Sequence, residues 1–571
     1  MSITEQAVKT LEIAFDNKIS AQQINNLLEQ PKTIENGDLS MPTFRLANEL
    51  GKAPAEIASD AVEKISSDLP DVFDKVVAAG PYINFFFNRN KFTQEILGTI
   101  LNQKNDYGKN SDGQNQNVAI DLSSPNIAKP MSAGHLRSTV IGNAIANLAS
   151  KNGFVPIKIN HIGDWGTQFG LMMAAYIKWS EGKPLEEYTV QELVQLYIRI
   201  NKEAEADPQL AEDGRNWFKK LEDGDSQAQE MWQKMRDLSL AEFMQVYDRL
   251  HIEFDSVNGE AFYNDKMDAV IKEMNDKNIL VKSDGATIIE FDEDANLPIA
   301  MIQRSDGATL YITRDLAAAF YRYNTYKFVK ALYVVGAEQR EHFRQLKAIL
   351  EKMDYSWGND IEHVSFGLIT FGGKKMSTRK GNVVELVEVL NQAHQLALEQ
   401  IQEKNAGLVD IDTVAEQVGA GAVVFHDLMN DRTLSVDFDL EDIVQFEGDT
   451  GPYVQYTNAR ANTIIRKSGI SVDEISKADI NDIYNDDSTW QIIANLANFE
   501  NTVKRAWREY EPSIIAKYAL NLSRSFNAYY ANSKILVEDD QLLNRLKLVQ
   551  AVIYVLTESL RILGVAAPVE M

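Results

Sequence analysis

The chain has 571 residues, 44% hydrophobic and 25% charged, enough for three or four folded domains with a large core and no disordered tract. Its 83 acidic against 57 basic residues give a formal charge of −26, which argues against non-specific nucleic-acid binding, so an RNA partner needs local basic surface. The absence of cysteine excludes disulfides, thiolate catalysis and Cys-ligated zinc, while no window nears ~20 uninterrupted apolar residues and the start lacks a secretory pattern, so a cytoplasmic enzyme without a membrane partner is expected.

Residues 1–110 read as a separate α/β module. Helical periodicity links Ile3, Ala7, Leu11 and Ala14, and strand-like runs at 75–78 and 82–88 are broken by Gly80-Pro81. The polar stretch 108–117 reads as a linker. A strand at 118–121, a loop, a helix carrying Leu136, Val140, Ile141, Ala144, Ile145 and Leu148, and a strand at 155–159 form a β-loop-α-β unit, the start of a parallel doubly wound sheet. Ligands of such sheets bind beyond the carboxyl ends of the strands, so chemistry is sought in the loop 122–134. Residues 170 to about 255 read as a charged helical insertion, and strand signals return at 286–291, 299–303, 331–335 and 363–368. Amphipathic stretches at 414–430, 451–467, 488–507, 513–530 and 538–562 predict a helical bundle. The expected architecture is an α/β Rossmann-like parallel-sheet domain with helical insertions at 111–410, preceded by the α/β module and followed by an all-α bundle at 411–571.

Two clusters carry chemistry. Ser123 to Thr139 lies between a strand and a helix. Gly134 removes a side chain where a base or ribose must approach the backbone, the helix start offers N–H groups and a positive dipole end to phosphate, and His135 can donate to a phosphoryl oxygen. Alone, a Gly-His pair reads equally as a surface histidine at a helix start. The second cluster, Phe371 to Asn382, combines two adjacent glycines, four cations and a Ser-Thr pair in a loop suited to gripping a triphosphate. Alone, it reads as an exposed basic turn. Lys374-Lys375, Arg379-Lys380, Arg466-Lys467 and Lys504-Arg505 with Arg508 are candidate basic surface for RNA, or simply solvated faces.

Together, Ser132-Ala133-Gly134-His135 and Lys375-Met376-Ser377-Thr378-Arg379 resemble the paired H-x-G-H and K-M-S-K-S signatures of class I aminoacyl-tRNA synthetases, in the expected order and about 240 residues apart. Further segments narrow the resemblance to the arginyl family: Asn160 to Gly170, Ser305 to Tyr311 with Thr313-Arg314-Asp315, Tyr333 to Gln339, and Phe446 to Tyr456, which opens that family's anticodon-binding bundle. The resemblance covers nearly the whole chain. Two departures stand out. Ser132 replaces the first signature histidine and keeps one short, uncharged donor. Thr378 replaces the second signature lysine, whose role the resemblance passes to Lys129, with Lys380 as an alternative.

The resemblance implies ATP-dependent activation of L-arginine and its transfer to the terminal adenosine of tRNA(Arg), generally only once the tRNA is bound. It implies no tightly bound cofactor, Mg²⁺ arriving with the ATP, and a monomer. Catalytic groups are then Lys129, Ser132, His135, Lys375, Ser377 and Lys380, with Pro125, Ala133, Gly134 and Met376 also at the nucleotide. Tyr311 and Asp315, four apart at a helix start, share a face and suit a guanidinium, although Asp315 alone reads equally as a helix N-cap and Tyr311 as a core aromatic. Asn126 and Gln339 are implied at the amino-acid backbone, Ser124 is implied at the arginine, and Asp121 and Glu260 are further acidic contacts. His161 and Trp165 flank a loop that lines the site or simply packs. Tyr453, Tyr456 and Arg460 are implied at the anticodon loop with Met571, and Tyr82 and Asn84 at the tRNA elbow; without the resemblance the bundle tyrosines read as core. The loss of the first signature histidine motivates a rival, a non-catalytic tRNA-binding or regulatory protein on the same scaffold, and a synthetase for another amino acid is a third reading that the presence of Asp315 opposes.

Overall fold

A computed structural model describes residues 3–571, apart from Gln30, Lys32, Ala128, Asp306, Gly307, Ala308, Gly372, Gly373, 376–383, 480–483 and Asn485. The chain forms two compact units, Met1–Lys104 with Ile464–Ala497 and Ser525–Val552, and Asn105–Thr463 with Asn498–Arg524 and Ile553–Met571.

In the first unit the helix Ile3–Ala14 buries Ile3, Ala7, Leu11 and Ala14, as the apolar spacing requires. Strands β1 (Leu39–Pro42), β2 (Phe73–Ala79) and β3 (Tyr82–Phe87) form an antiparallel sheet in the order β1-β3-β2. Gly80, at φ +58°, makes the β2–β3 turn. Strand β1 has no counterpart in the sequence reading: it is four residues long and ends in proline, which only an edge strand tolerates.

The second unit is built on β4 (Asn117–Ser123) and β5 (Val155–Asn160), joined through the helix Gly134–Lys151. All of β4 beyond Asn117 is buried, because a parallel strand covered on both faces reads as a continuous apolar run. Gly142 lets the helix lie against β4, since a Cβ there would sit 2.2 Å from that of Leu122. The helices Thr167–Trp179, Val190–Ala204, Pro208–Glu222 and Ser226–Arg249 follow.

Three short strands, β6 (Val281–Ser283), β7 (Ala286–Ile289) and β8 (Ala300–Gln303), form a separate antiparallel sheet. The β6–β7 hairpin turns on Asp284-Gly285, both at positive φ, a dipeptide signal for a tight hairpin. Strands β9 (Lys330–Gly336) and β10 (Ile361–Phe366) complete the parallel sheet in the order β10-β9-β4-β5. From β4 the chain builds outward to β5 and from β9 outward to β10, so the order reverses between β4 and β9 and a crevice opens at their carboxyl ends.

Strands β11 (Ile369–Phe371), β12 (Lys374–Lys375) and β13 (Val436–Phe438) make a third small sheet, so the basic cluster begins on β11 and contains β12. The C-terminal part is helical, as expected. The run expected at 488–507 is two helices, Asp487–Ala497 and Phe499–Glu509, interrupted at Asn498. No helix among the described residues is long and apolar enough to cross a membrane.

Candidate active site

The loop after β4 is held by backbone bonds that continue the parallel pairing beyond the strands. His161 N–H donates to the Ser123 carbonyl at 2.8 Å, Gly163 to Pro125 at 3.0 Å, and Ile127 to Gly163 at 3.1 Å. A Cβ on Gly163 would lie 2.3 Å from the Asn126 carboxamide oxygen, so the close approach of these two loops requires glycine. Beneath them, the Ser123 hydroxyl contacts Thr139 Oγ1 at 3.0 Å and the Tyr247 hydroxyl at 2.8 Å, and Asn160 donates to Tyr247 at 3.1 Å. This buried network ties the ends of β4 and β5 to the signature helix and to the helix Ser226–Arg249. Burial pushes the Tyr247 phenol up to about 12.

His135 opens the signature helix. Its Nδ1 accepts from the Ser132 backbone N–H at 3.1 Å and lies 3.0 Å from the Ser132 hydroxyl. Burial brings its pKa down to about 4, the nearby Lys129 cation acting in the same direction. The imidazole is therefore neutral near pH 7, and with Nδ1 accepting, its proton sits on Nε2. Ser132 thus bears on His135, and does so through its backbone as well as its hydroxyl. Lys129 also lies 5.9 Å from the Tyr197 ring of the helical insertion. The helix start at Ala133 has no side-chain cap, which suits an anion.

The second signature reaches this segment through its exit. Ala133 N–H donates to the Val384 carbonyl at 2.9 Å, Leu386 N–H donates to the Met131 carbonyl at 2.8 Å, and Ser132 bridges Glu385. The chain leaving the basic cluster is thus paired, residue on residue, with the first signature. Of the cluster itself, Lys375 lies on β12, its backbone opposite Thr370; Met376, Ser377 and Lys380 fall outside the described residues.

A cluster of three carboxylates, each facing a basic side chain, gathers around β4 and the helix after β8. Asp121, on β4, lies 2.8 Å from Arg322 Nη2, a guanidinium only 2% exposed that also sits 5.2 Å from the Tyr333 ring. Arg322 comes from the helix Tyr311–Tyr326, which also supplies Arg314 and Asp315. Arg314 donates to Glu260 at 3.2 Å, and His342 Nε2 lies 2.6 Å from Asp315 Oδ2. Burial raises Glu260 to about 7 against the pull of Arg314, with Asp315 and Asp164 adding repulsion. Burial alone would raise Asp315 as well, but the hydrogen bond and charge of His342, with His161 and Arg322, hold it below the ordinary carboxylate value. Asp315 stands in the second turn, and the N-cap is Leu310, so the capping alternative falls. Tyr311 is 68% exposed at the helix start, so it is not a core aromatic.

Family models span the chain: "Arginyl tRNA synthetase N terminal domain" matches residues 2–87, "tRNA synthetases class I (R), catalytic domain" residues 96–440, and "DALR anticodon binding domain" residues 454–571. The chain is 58% identical over 567 residues to the arginine–tRNA ligase of Leuconostoc mesenteroides subsp. mesenteroides, covering 99% of each chain. It is 53% identical over 571 residues to that of Pediococcus pentosaceus, covering 100% of each. The chain belongs to the arginyl-tRNA synthetase family. Family membership makes it a class I arginine–tRNA ligase. The fold is also that of the Thermus thermophilus arginyl-tRNA synthetase, with a TM-score of 0.83 at 24% identity and 100% of both chains covered.

The remaining residues expected from the arginyl-tRNA synthetase resemblance are distributed as follows. Ser124 and Asn126 are exposed on the loop after β4 and Pro125 is buried; Gln339 is exposed at the turn after β9. Trp165 packs edge-on against Phe218 and Trp232 of the helical insertion. Tyr456 and Met571 pack, half-buried, on a core that contains Phe446; the Arg460 guanidinium is 4.8 Å from the Tyr456 ring, and Lys404 lies over Phe446. Tyr453 precedes Tyr456 by three residues on that helix. In the first unit, Tyr82 stacks edge-on against Phe44, while Asn84 is buried and accepts from Ser40 at 2.6 Å. Lys504, Arg505 and Arg508 are paired with Glu500, Asp112 and Glu509.

Three residues of the arginyl-tRNA synthetase site, Arg322, His342 and Tyr247, have no place in the sequence analysis, and Arg314 appears there only within a quoted segment. Arg322 had a signal, since it lies seven residues beyond Asp315 on the same helical face. His342 lies three residues past Gln339, where a helix begins. Tyr247 reaches Ser123 across 124 residues, and nothing local marks it.

Proposed function

We propose that this crevice activates L-arginine with ATP and transfers it to the terminal adenosine of tRNA(Arg). The observation that carries the reading is the backbone pairing of Ala133 with Val384, by which the chain leaving the second signature runs beside the first, in the unit that also holds the carboxylates Asp121, Glu260 and Asp315.

In the first step an arginine carboxylate oxygen attacks the α-phosphorus of ATP, forming arginyl adenylate and releasing pyrophosphate. In the second, the 2′-hydroxyl of the terminal adenosine attacks the activated carbonyl and AMP leaves. Neither step needs a protein nucleophile; catalysis is positioning and stabilisation of charge on the phosphates. Neutral His135 donates through Nε2–H, and Lys129, Lys375, Ser377 and Lys380 supply cations and a donor. Ser132 serves this group by holding His135. Pro125, Ala133, Gly134 and Met376 line the nucleotide. Mg²⁺ enters with ATP as part of the substrate, bound mainly by phosphate oxygens and water.

Asp315 and Glu260 accept the guanidinium beside Tyr311, and Asp121, ion-paired to Arg322, completes the acidic set. Ser124, Asn126 and Gln339 hold the amino-acid backbone. A planar fork of N–H donors satisfies such carboxylates better than the compact ammonium of lysine. Tyr453, Tyr456, Arg460 and Met571 contact the anticodon loop and Tyr82 the tRNA elbow, while Asn84, expected there too, is buried against Ser40 and supports the sheet that carries Tyr82. The working divisions are 1–110, 111–410 with its insertion at about 170–255, and 411–571, in a cytoplasmic monomer that activates arginine only with tRNA bound.

The test is ATP–pyrophosphate exchange. It should depend on arginine and appear only when tRNA(Arg) is present; no exchange with tRNA, arginine, ATP and Mg²⁺ all supplied rejects the proposal. Asp315→Ala should lower kcat/KM for arginine by about 30-fold or more, equivalent to the ~2 kcal/mol of a lost charge-assisted contact. A near-normal value removes Asp315 from the pocket.

A further inference from the structure

We propose that His342 is a positioning residue that presents the Asp315 carboxylate to the substrate guanidinium. This rests on the reading of Asp315 as a guanidinium acceptor, and adds a residue that neither signature contains.

Asp315 sits in the second turn of the helix Tyr311–Tyr326 and His342 in the first turn of the helix Arg340–Lys352, so the contact joins the two helices that flank β9 in sequence. The Nε2–Oδ2 distance of 2.6 Å is that of a charge-assisted hydrogen bond. The depressed pKa of Asp315 means that its carboxylate is ionised near neutrality. An ionised carboxylate only accepts, so His342 Nε2 carries the proton and donates whether the imidazole is neutral or charged.

The consequence is geometric. An aspartate carboxylate turns about two torsions, and one bond to Oδ2 fixes its plane. Among the described residues no hydrogen bond engages Oδ1, so that edge is left to a ligand. A guanidinium binds a carboxylate best in the plane of both groups, through two parallel N–H bonds, and this match is lost if the carboxylate rotates. Glu260 is held differently: Arg314 brings a full positive charge to it and competes with an incoming cation. His342 fixes its carboxylate through a single N–H, which donates in either protonation state. The other charged or polar groups facing Asp315 are His161, Arg322, Glu260 and Tyr333, and none of them makes a hydrogen bond to it. A pre-set acceptor spares the ligand the cost of ordering it, so the effect belongs in arginine affinity and not in the chemical step.

The experiment uses the full chain with tRNA(Arg), ATP and Mg²⁺, and measures ATP–pyrophosphate exchange against arginine and against ATP for His342→Ala, His342→Gln and Asp315→Ala. His342→Ala should raise KM for arginine about tenfold, with kcat and KM for ATP changed less than about twofold. His342→Gln, whose side-chain N–H reaches in the same direction as Nε2–H, should return the arginine KM to within about threefold of the parent. A merely structural role for His342 would shift the arginine and ATP constants together and would not be rescued by glutamine, and either result overturns the proposal. So does an arginine KM in His342→Ala indistinguishable from the parent. If His342→Ala has no effect while Asp315→Ala abolishes arginine use, only the positioning role fails; if Asp315→Ala is also silent, the pocket reading fails with it.

Discussion

Arg137 Nε and Asp427 Oδ1 lie 2.8 Å apart with both side chains closed off from solvent, two residues beyond His135. The pair joins the signature helix to the helix Ile411–Leu428, and Arg137 also donates to the Leu434 carbonyl at 2.6 Å. Its Nε and the carboxylate oxygens lie off the hydrogen-bond line, so this is an ion contact. Burial pushes Asp427 up to about 6 in spite of the adjacent guanidinium, so desolvation outweighs the attraction. Asp427→Ala, which strands the guanidinium, should cost about 3–5 kcal/mol in urea unfolding, whereas Arg137→Met combined with Asp427→Leu should recover most of the loss. Equal stability of the single and paired variants would show that Arg137 finds another partner.

Ser132 stands where the family signature has histidine, and the structure directs both its N–H and its hydroxyl to His135. Ser132→Ala keeps the backbone donor, so it should reduce exchange by no more than about fivefold, while His135→Ala should cost about 100-fold or more. Ser132→His should leave activity similar or higher; complete inactivation would mean the loop cannot take the larger ring. With a folded pKa near 4 against the ordinary 6.5, His135 should add no limb to the pH–rate profile between about pH 6 and 8. The unfolded chain takes up this proton first as the pH falls, so the contribution of His135 to stability is present above 6.5 and lost on the way down to 4.

Glu260, raised to about 7, is partly protonated in the free enzyme at neutral pH. A guanidinium bound to it favours the ionised form, so arginine binding should release a proton and tighten as the pH rises through 7. Calorimetry in buffers of different ionisation enthalpy reads that proton directly, and Glu260→Gln should abolish it; an unchanged proton count would place the guanidinium elsewhere. For folding the sign is opposite. The folded pKa is raised, so this group's contribution to stability is present below its ordinary 4.5 and lost as the pH climbs through 7. Glu260→Gln should flatten that slope.

Tyr456, half-buried over the core residue Phe446, combines an aromatic ring with the Arg460 cation, the pattern that receives an unpaired base. Tyr456→Ala should raise KM for tRNA(Arg) about tenfold, in line with one lost base stack, and leave KM for arginine at saturating tRNA within about twofold. A parallel rise in the arginine constant would mean that this surface acts on the catalytic unit and not on RNA.

Much of the fold is legible in the sequence because it depends on local periodicity. The strands that become β4, β5, β9 and β10 are short runs rich in valine, isoleucine and other apolar residues, and the helices Ile3–Ala14 and Gly134–Lys151 carry their core residues at helical spacing. The exceptions are short strands: β1, β6, β11, β12 and β13 have two to four residues each, too few to show a period, although Asp284-Gly285 marks the β6–β7 hairpin.

The sequence by itself determined the family, the parallel sheet and the presence of two signatures with an acidic set around Asp315, because residue types at fixed spacing carry that information along the chain. Only the tertiary structure decided who partners whom: Arg314 with Glu260, Arg322 with Asp121, His342 with Asp315, Ser132 with His135, and Ala133 with Val384. Whether a carboxylate in that set is half-protonated like Glu260 or ionised like Asp315 depends on desolvation and on charges within a few ångströms. Those distances are set when helices and loops remote in the chain close over the end of the sheet, and no spacing along the chain encodes them.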